Sequence, residues 1–370
     1  MIGKQRDVRQ MNQFIMVLMA AGVVLGGVDR IFGNRLGYGE KFEEGFKLLG
    51  PTALSMAGMI CLAPVLADVL GRVIVSFYRL IGVDPAMFGS VLAIDMGGYQ
   101  LAKELAADAR IGSYAGIVVS AVFGCTLVFT IPVGMGMIER QDRRFFAKGI
   151  MLGLAAMPAG LLVGGLSAGL SVPECLHQNI PVFAAAFLLL LGLWKIPDKM
   201  VKGFCILAQG IRVLITIGLV LAAVEYLCGW NLVPGMAPLA EAMEVVASIG
   251  IVMLGSLPLT ELLRRVLEKP FTALGRKFGM RSESLTGMLL GFVSPMPVFS
   301  LYREMDEKGK VAVGAFLVSG ASLFTAHMGF TLSTEPEMLG ALFAGKVCGA
   351  VAAAVLTQCL LRDKKTDLSQ

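Results

Sequence analysis

Nine apolar runs of bilayer-spanning length constrain this chain more than any other feature. A helix needs about 20 predominantly apolar residues to cross the hydrocarbon core of a membrane. Runs of that kind fill most of the 370 residues, at 12–32, 46–69, 111–138, 146–170, 179–195, 203–226, 245–263, 311–332 and 338–361. The sequence therefore predicts an all-α polytopic membrane protein with about 9–11 transmembrane helices.

The composition agrees with this prediction. Hydrophobic residues make up 56% of the chain and charged residues 16%, whereas soluble domains carry roughly a quarter charged residues. The 45 glycines are typical of transmembrane helices that pack closely. The net charge of +5 comes from Lys and Arg in short loops between apolar runs, which favours a role in membrane topology over nucleic-acid binding.

Two further segments, 84–107 and 281–306, are apolar in their first half and interrupted in the middle. The first carries the pair Gly97–Gly98, which releases the backbone at low steric cost. The second carries Pro295 and Pro297, which lack N–H donors and break helices. Because unpaired backbone groups are costly in lipid, a broken helix survives at bilayer depth only inside protein or beside a watery cavity. We therefore expect two broken or re-entrant helices near the midplane, where a small polar solute binds.

Two short basic stretches, 71–82 and 264–280, follow membrane runs in the two halves of the chain. Their arginines are interspersed with apolar residues. Segments of this composition lie in the plane of the membrane interface, with the charged side chains in the headgroup region. We therefore predict two amphipathic interfacial helices at these positions.

The chain repeats itself at an offset of 200 residues. The basic–acidic pair Lys103–Glu104 aligns with Arg303–Glu304, just after the interrupted segments. Such a pair recurs by chance less readily than Ala, Leu or Val does. Internal duplication is a common plan for transporters, and we infer two homologous halves with a linker helix between them. The predicted division is a first transmembrane repeat, a linker and a second transmembrane repeat, at 12–170, 171–202 and 203–361.

The distribution of Lys and Arg predicts the orientation of the chain. The basic stretches are expected to face the cytoplasm, and they are 139–144, 195–202, 264–281 and the C-terminal 362–365. Both ends of the second interrupted segment then lie inside, so this segment enters and returns as a hairpin. A matching hairpin in the first half has both ends outside, which makes the repeat inverted and leaves the basic N-terminus outside. In the alternative, both segments cross once and more basic residues lie outside, including the C-terminal tail.

Asp95 is the sharpest candidate in the interrupted segments, because an ionisable group inside a membrane segment is costly. One interpretation is that it holds a cation; the other is that it pairs with Lys103 or caps the half-helix. We assign a candidate substrate-binding set from both segments: Asp95, Gly97, Gly98, Tyr99, Gln100, Ser294, Pro295 and Pro297.

A second set of charged residues is a candidate for coupling or gating. Its members are Lys103, Glu104, Arg303, Glu304 and His327. For Lys103 the competing interpretation is an interfacial ion pair that anchors the hairpin. For His327 the competing interpretation is a buried packing residue. A histidine side chain ordinarily titrates near pH 6.5, which is the property that a pH-sensitive element needs.

Several function classes have no sequence signature. No Walker motif, dinucleotide-binding glycine fingerprint, metal-ligand cluster or catalytic triad is visible in the sequence, and we expect no enzyme activity, no cofactor and no metal. The seven cysteines are scattered singly without a CxxC pair. Cys175 and Cys228 lie in two loops predicted to face outward, so a disulfide between them stays an open alternative.

Several motifs resemble one known family. They are "FEEGF" (42–46), "MAGMICLAPVLADVLG" (56–71), "MFGSVLAIDMGGYQLAKELA" (87–106), "DRRFFAKG" (142–149), "IPDKMVKGF" (196–204), "LVPGMAPL" (232–239) and "MDEKGKV" (305–311). Together they are similar to the ethanolamine permease family of bacterial ethanolamine-utilisation operons, over nearly the whole chain. The resemblance implies an inner-membrane protein that admits ethanolamine and has this small molecule and membrane lipid as partners, with self-association left open.

The resemblance also implies a mode of binding. Asp95, the carbonyls around Gly97–Gly98 and the ring of Tyr99 suit the ammonium group, while Ser294 and Gln100 suit the hydroxyl. The second half departs from the family pattern, since Ser294–Pro295 stands in place of paired asparagines and Ala326 in place of an acidic residue. A paralogue for another small amine or alcohol, and a membrane sensor or scaffold for ethanolamine, are the alternatives.

Overall fold

A computed structural model describes residues 2–93, 97–278 and 280–362. Within these ranges the chain is helical, with turns and short extended links and no β-strand. The α-helices in chain order are α1 (Ile2–Ile31), α2 (Tyr38–Lys47), α3 (Leu49–Leu80), α4 (Ala86–Gly89), α5 (Gly98–Leu105), α6 (Ala109–Ser113), α7 (Ile131–Met137), α8 (Arg143–Ser167), α9 (Val172–Gln178), α10 (Ile180–Lys195), α11 (Pro197–Cys228), α12 (Leu239–Phe278), α13 (Ser282–Val293), α14 (Pro295–Leu301), α15 (Glu307–Gly320), α16 (Met328–Thr334) and α17 (Leu339–Arg362).

Eight helical stretches in this part of the chain are long and apolar enough to cross a membrane. They are Gln13–Ile31, Tyr38–Gly71, Ala109–Met137, Arg143–Ser167, Cys205–Cys228, Leu239–Val266, Glu307–Thr334 and Pro336–Leu361. The pair α9 and α10, bent by 53° at Asn179, gives a ninth if the two helices form one span. The prediction of an all-α polytopic membrane protein is confirmed.

The two predicted interfacial helices are wrong as separate elements. Residues 71–80 are the end of α3, and residues 264–278 are the end of α12, without interruption. Helix propagation is cooperative once a helix has formed, and α12 continues even through Pro270, which lies inside its basic end. Each membrane helix therefore continues through its basic end.

The first interrupted segment is a hairpin whose two ends meet. We call residues 84–107 the first hairpin; it contains α4, a turn and α5. The carboxylate of Asp84 at its start accepts hydrogen bonds from the amide of Ala107 (3.2 Å) and the amide of Asp108 (2.8 Å) at its end. The segment therefore enters and returns on the same side.

The second interrupted segment closes in the same way. We call residues 281–306 the second hairpin; it contains α13, a break and α14. The carboxylate of Asp306 at its end accepts hydrogen bonds from the amide of Arg281 (3.0 Å) and the hydroxyl of Ser284 (2.8 Å) at its start. Both segments are thus interrupted in the middle and fold back so that their two ends meet.

Two helical stretches form the centre of the core. We call Ala109–Met137 and Glu307–Thr334 the first and second crossing helices. In the most apolar part of each, 89% and 83% of the residues are buried, compared with at most 56% in the other spans. Each is surrounded by protein on nearly every side, so polar groups on these helices lie away from lipid.

The hairpins lie at opposite ends of the crossing helices. Ser113, near the start of the first crossing helix, donates to Glu335, which lies just past the end of the second. At the other end, Lys310 of the second crossing helix pairs with Asp142, five residues past the end of the first. The crossing helices are therefore antiparallel, with one hairpin at each end. An inverted repeat would produce this arrangement, and the repeat itself remains a prediction.

Both crossing helices contain π-helical turns, which the sequence did not predict. These turns cover Tyr114–Gly124, Thr126–Thr130 and Leu323–His327. The hydroxyl of Thr126 donates to the carbonyl of Val318 (2.9 Å), which joins the two crossing helices. Because π turns are rare and frequently occur at functional sites, they direct attention to this crossing.

The disulfide alternative is not realised. Cys175 is a buried free thiol and Cys228 an exposed one. The thiol of Cys175 instead lies 3.8 Å from the carbonyl oxygen of Leu161.

Candidate functional site

The tip of the first hairpin depends on two glycines with different roles. Gly97 has a left-handed backbone conformation (φ 83°) at the N-terminus of α5. A Cβ on Gly98 would lie 2.7 Å from the carbonyl oxygen of Leu92 and 3.0 Å from that of Ala93. The backbone therefore folds back on itself at Gly98, and carbonyl oxygens crowd the start of α5. Asp95 lies outside the described residues, as do its two neighbours in the chain.

The tip of the second hairpin is a single extended residue. Ser294 (φ −157°, ψ 136°) separates α13 from α14, and its hydroxyl accepts a hydrogen bond from the amide of Met296 at 3.4 Å. Pro295 is the first residue of α14, a position where the missing N–H costs nothing. The break predicted at Pro295 and Pro297 is present: Ser294 is extended immediately before Pro295, as the residue before a proline tends to be, and both prolines lie in the first turn of α14.

A further break in the second crossing helix meets this tip. Ser322 has a left-handed conformation (φ 56°), which is uncommon for a residue other than glycine. Its amide donates to the carbonyl of Gly291 (2.9 Å), and the hydroxyl of Thr325 donates to the carbonyl of Val293. The end of α13 thus hydrogen-bonds to an interrupted part of its neighbour, which the sequence did not predict.

Tyr99 and Lys103 are brought together by a residue that sequence analysis missed. The carboxylate of Glu335 accepts hydrogen bonds from the hydroxyls of Tyr99 (2.6 Å) and Ser113 (2.9 Å). The ammonium of Lys103 lies 3.4 Å from the same carboxylate, and the ring of Tyr99 packs edge-on against Phe330. We call Tyr99, Lys103, Ser113 and Glu335 the Glu335 cage.

The other predicted charges do not converge on this cage. Glu104, Arg303 and Glu304 are exposed. Arg303 lies 3.9 Å from Glu139 in an exposed ion pair at the base of the second hairpin. The interpretation of the basic residues as hairpin anchors therefore fits both contacts, although the acidic partner in each case is remote in sequence.

His327 lies at the heart of the bundle. Its side chain is fully buried, and neither ring nitrogen has a partner at normal hydrogen-bond geometry in the described part of the chain. Gln100 resembles it in one respect: its buried Oε1 has no hydrogen-bond partner among the described atoms. Both residues thus have buried polar atoms without a hydrogen-bond partner among the described residues, close to the interrupted segments.

Lys346 is a second buried polar group that sequence analysis missed. Its side chain is fully buried in α17, and its ammonium donates to the carbonyl of Ala121 (2.9 Å) in a π-helical turn of the first crossing helix. The signal in the sequence was a lone lysine within the apolar run 338–361. This hydrogen bond joins α17 to the first crossing helix, and it offsets part of the cost of a buried charge inside a membrane segment.

No group of three or more His, Cys, Asp or Glu side chains comes together across residues 2–93, 97–278 and 280–362. The Glu261 carboxylate forms ion pairs within α12, with Arg264 at 2.8 Å and with Arg265 at 2.7 Å.

The chain is similar to proteins of one family along nearly its whole length. The family described as "EutH: Ethanolamine utilisation protein, EutH" matches residues 11–360. "Probable ethanolamine permease EutH" of Listeria monocytogenes serotype 1/2a is 39% identical over 346 residues, 93% of each chain. The protein of the same name from Escherichia coli K12 is 38% identical over 389 residues, 95% of each chain.

A relative without an assigned activity is equally similar. "Uncharacterized protein YxeR" of Bacillus subtilis strain 168 is 38% identical over 346 residues, 93% of each chain. No solved structure matches the chain. The match over residues 11–360 and the full-length relatives establish that this chain belongs to the EutH family of ethanolamine utilisation proteins.

Proposed function

We propose that this protein is a membrane transporter that carries ethanolamine, with the substrate bound at the two broken segments near the bilayer midplane. Two full-length relatives are named probable ethanolamine permeases. The observation that carries the proposal is the pair of closed hairpins at opposite ends of two antiparallel, interrupted helices. Broken backbone at bilayer depth is tolerated where it lines a cavity or is buried in protein, and transporters bind substrate at such breaks.

The chemistry of ethanolamine suits the first hairpin. The molecule carries an ammonium at neutral pH and a hydroxyl two carbons away. The ammonium matches Asp95, the carbonyl oxygens of Leu92 and Ala93 that crowd Gly98, and the face of Tyr99. The buried Oε1 of Gln100 has no partner among the described atoms and suits the substrate hydroxyl.

The second hairpin supplies the opposite wall in this proposal. Ser294 is only partly buried at the tip, where its hydroxyl is available to a polar solute, while Pro295 and Pro297 set the shape of the turn that follows. In this scheme Lys103 and His327 serve gating or coupling. The exposure of Glu104, Arg303 and Glu304 favours a surface role for those three.

We also infer transport and not chemical conversion, since the relatives with an assigned activity are named permeases. The base of the second hairpin faces the cytoplasm in the proposed topology, together with 139–144 and the C-terminus. The ion pairs Arg303–Glu139 and Lys310–Asp142 support a common side for the second hairpin base and 139–144, and the positive-inside rule favours the cytoplasm for that side.

Uptake by purified protein in liposomes tests the proposal. Labelled ethanolamine is supplied at two pH values, with and without proton and sodium gradients, and empty liposomes give the background. We expect uptake above background; uptake without a gradient identifies a facilitator, and uptake only with a gradient identifies a symporter. Uptake of another small amine or alcohol in its place would assign a different substrate, and no uptake in any condition would contradict the proposal.

A further inference from the structure

The Glu335 cage has the composition of a site for a primary ammonium group. The two hydroxyls of Tyr99 and Ser113 each donate to one oxygen of the Glu335 carboxylate, at 2.6 and 2.9 Å. The donated hydrogen bonds orient the carboxylate and leave its remaining lone pairs for a cation. The ring of Tyr99 adds an aromatic surface, whose centroid is 5.8 Å from the ammonium of Lys103.

Three side chains contact the Glu335 carboxylate, and Lys103 makes the longest of these contacts. Its ammonium is 3.4 Å from the carboxylate oxygen and 3.3 Å from the hydroxyl of Ser113, both longer than charge-assisted hydrogen bonds usually are. The side chains of Lys103 and Glu335 keep 34% and 24% of their surface exposed. A partly solvated ion pair of this length contributes little to stability, because both charges remain in contact with water. Lys103 can therefore be exchanged for another cation at small cost.

The cage is continuous with the tip of the first hairpin through Tyr99. Tyr99 follows Gly98 directly, and its Cα is 2.8 Å from the place where a Cβ of Gly116 would lie. Its hydroxyl reaches Glu335 while its backbone belongs to the first turn of α5. A cation bound at Glu335 is thus separated from the hairpin tip by one side chain.

We propose that Glu335 forms a binding site for the ammonium of the substrate at the base of the first hairpin, and that Lys103 occupies this site when substrate is absent. The inference rests on the proposed function and adds a position on the substrate's route outside the two hairpin tips. The aliphatic ammonium of Lys103 has the same –CH₂–NH₃⁺ group as ethanolamine. The two cations therefore compete for one carboxylate.

A purely structural latch would use the same contact and predicts a different outcome. If the pair only holds the hairpin, removing either partner breaks the same interaction, and both variants change transport in the same direction. If Lys103 competes with substrate, removing Lys103 strengthens binding, whereas removing the charge of Glu335 weakens it. Opposite signs therefore distinguish the two roles.

The test compares K103M and E335Q in liposomes loaded for labelled ethanolamine uptake, with KM and maximal rate measured separately. We expect K103M to lower KM several-fold and E335Q to raise it on the order of tenfold, because hydrogen bonds to charged groups contribute about that much to binding. The matched control is R110M, which removes an exposed charge that pairs with Asp108 and Glu174 near the same hairpin base. R110M should leave KM unchanged.

A second measurement keeps the test valid if a variant is unstable or transport is absent. Thermal unfolding of each purified variant in detergent is recorded with increasing ethanolamine hydrochloride. A larger ethanolamine-dependent shift for K103M than for wild type, with a smaller shift for E335Q, supports the site even if no variant transports, in which case only the proposed function fails. Equal shifts, or KM changes of the same sign in both variants while wild type transports, would overturn the site.

Discussion

Each hairpin base has an ion pair between a lysine and an acidic residue, and the two pairs differ in distance and in solvent exposure. At the first base, Lys103 and Glu335 are 3.4 Å apart, and 34% and 24% of their side-chain surfaces are exposed to solvent. At the second, Lys310 and Asp142 are 2.8 Å apart with only 10% and 6% of their surface exposed. The first pair is thus longer and partly solvated, whereas the second is short and buried.

Aromatic packing reinforces this difference. Phe146 packs edge-on against both Phe299 and Tyr302 at the second base, with ring centroids 5.7 and 5.8 Å apart. The hydroxyl of Tyr302 donates to the carbonyl of Lys310 at 2.6 Å. The second base is therefore packed more tightly than the first. The comparison predicts that removing one partner of the ion pair lowers the stability of the fold strongly at the second base and only slightly at the first.

The largest effect is expected from Asp142→Ala. It leaves the Lys310 ammonium buried without its partner, and breaking a buried ion pair costs about 3–5 kcal/mol. Thermal unfolding in detergent should show a large fall in melting temperature. The double variant D142A/K310M should recover much of the loss, because the isolated charge is then gone. A loss no greater than that of Glu139→Gln, which affects the exposed pair with Arg303, would contradict the difference between the two bases.

A smaller effect is expected from Asp306→Asn, and it depends on pH. Burial alone would raise the pKa of Asp306, but hydrogen bonds from the Arg281 amide, the Ser284 hydroxyl and the Gly309 amide outweigh it and hold the pKa below its usual value. A carboxyl with a lowered pKa stabilises the fold at pH values above its unfolded pKa and loses this contribution as the pH falls through the folded pKa. The variant should lose about 1–2 kcal/mol at pH 7.

The measurement is the melting temperature of wild type and Asp306→Asn in detergent from pH 7 down to pH 3. The difference between the two proteins should shrink as the pH falls below about 4, the ordinary value for Asp. A constant difference over this range would mean that the charge of Asp306 does not close the second hairpin.

The smallest effect is expected from Ser322→Gly. The left-handed conformation of Ser322 (φ 56°) costs a residue with a Cβ more than it costs glycine, so the substitution should raise stability by about 0.5 kcal/mol. Gly97 (φ 83°), the left-handed residue of the first hairpin, is already glycine, and Gly97→Ser should be destabilising. Loss of stability in Ser322→Gly would show that the side chain contributes more than its backbone strain costs.

Much of the fold follows from local sequence patterns. The apolar runs identified the spans, and the Gly97–Gly98 pair and the prolines after Ser294 marked both breaks. The distribution of Lys and Arg predicted that 281–306 returns to the side it enters, as the contact between Asp306 and Arg281 requires. These features depend on composition, on the backbone freedom of glycine and on the missing N–H of proline.

The parts that could not be predicted depend on residues far apart in the chain. Glu335 contacts Tyr99 across 236 positions, and Lys346 contacts Ala121 across 225; one sequence contains no signal for such pairs. The π-helical turns and the strained Ser322 arise from packing between the crossing helices and the second hairpin. The continuity of α3 and α12 through their basic ends was not predicted, because a basic turn at the end of a helix has the same composition as an interfacial helix.

Labelled ethanolamine counterflow in liposomes tests the central claim most directly, with Gly98→Val compared against Gly210→Val. A side chain at Gly98 would overlap the Leu92 and Ala93 carbonyl oxygens, whereas nothing lies within 4 Å of a Cβ at Gly210. We predict transient accumulation above empty liposomes for wild type and Gly210→Val, and none for Gly98→Val in vesicles containing equal amounts of protein. Counterflow by Gly98→Val equal to that of wild type, or none by wild type, would contradict transport through the broken segments.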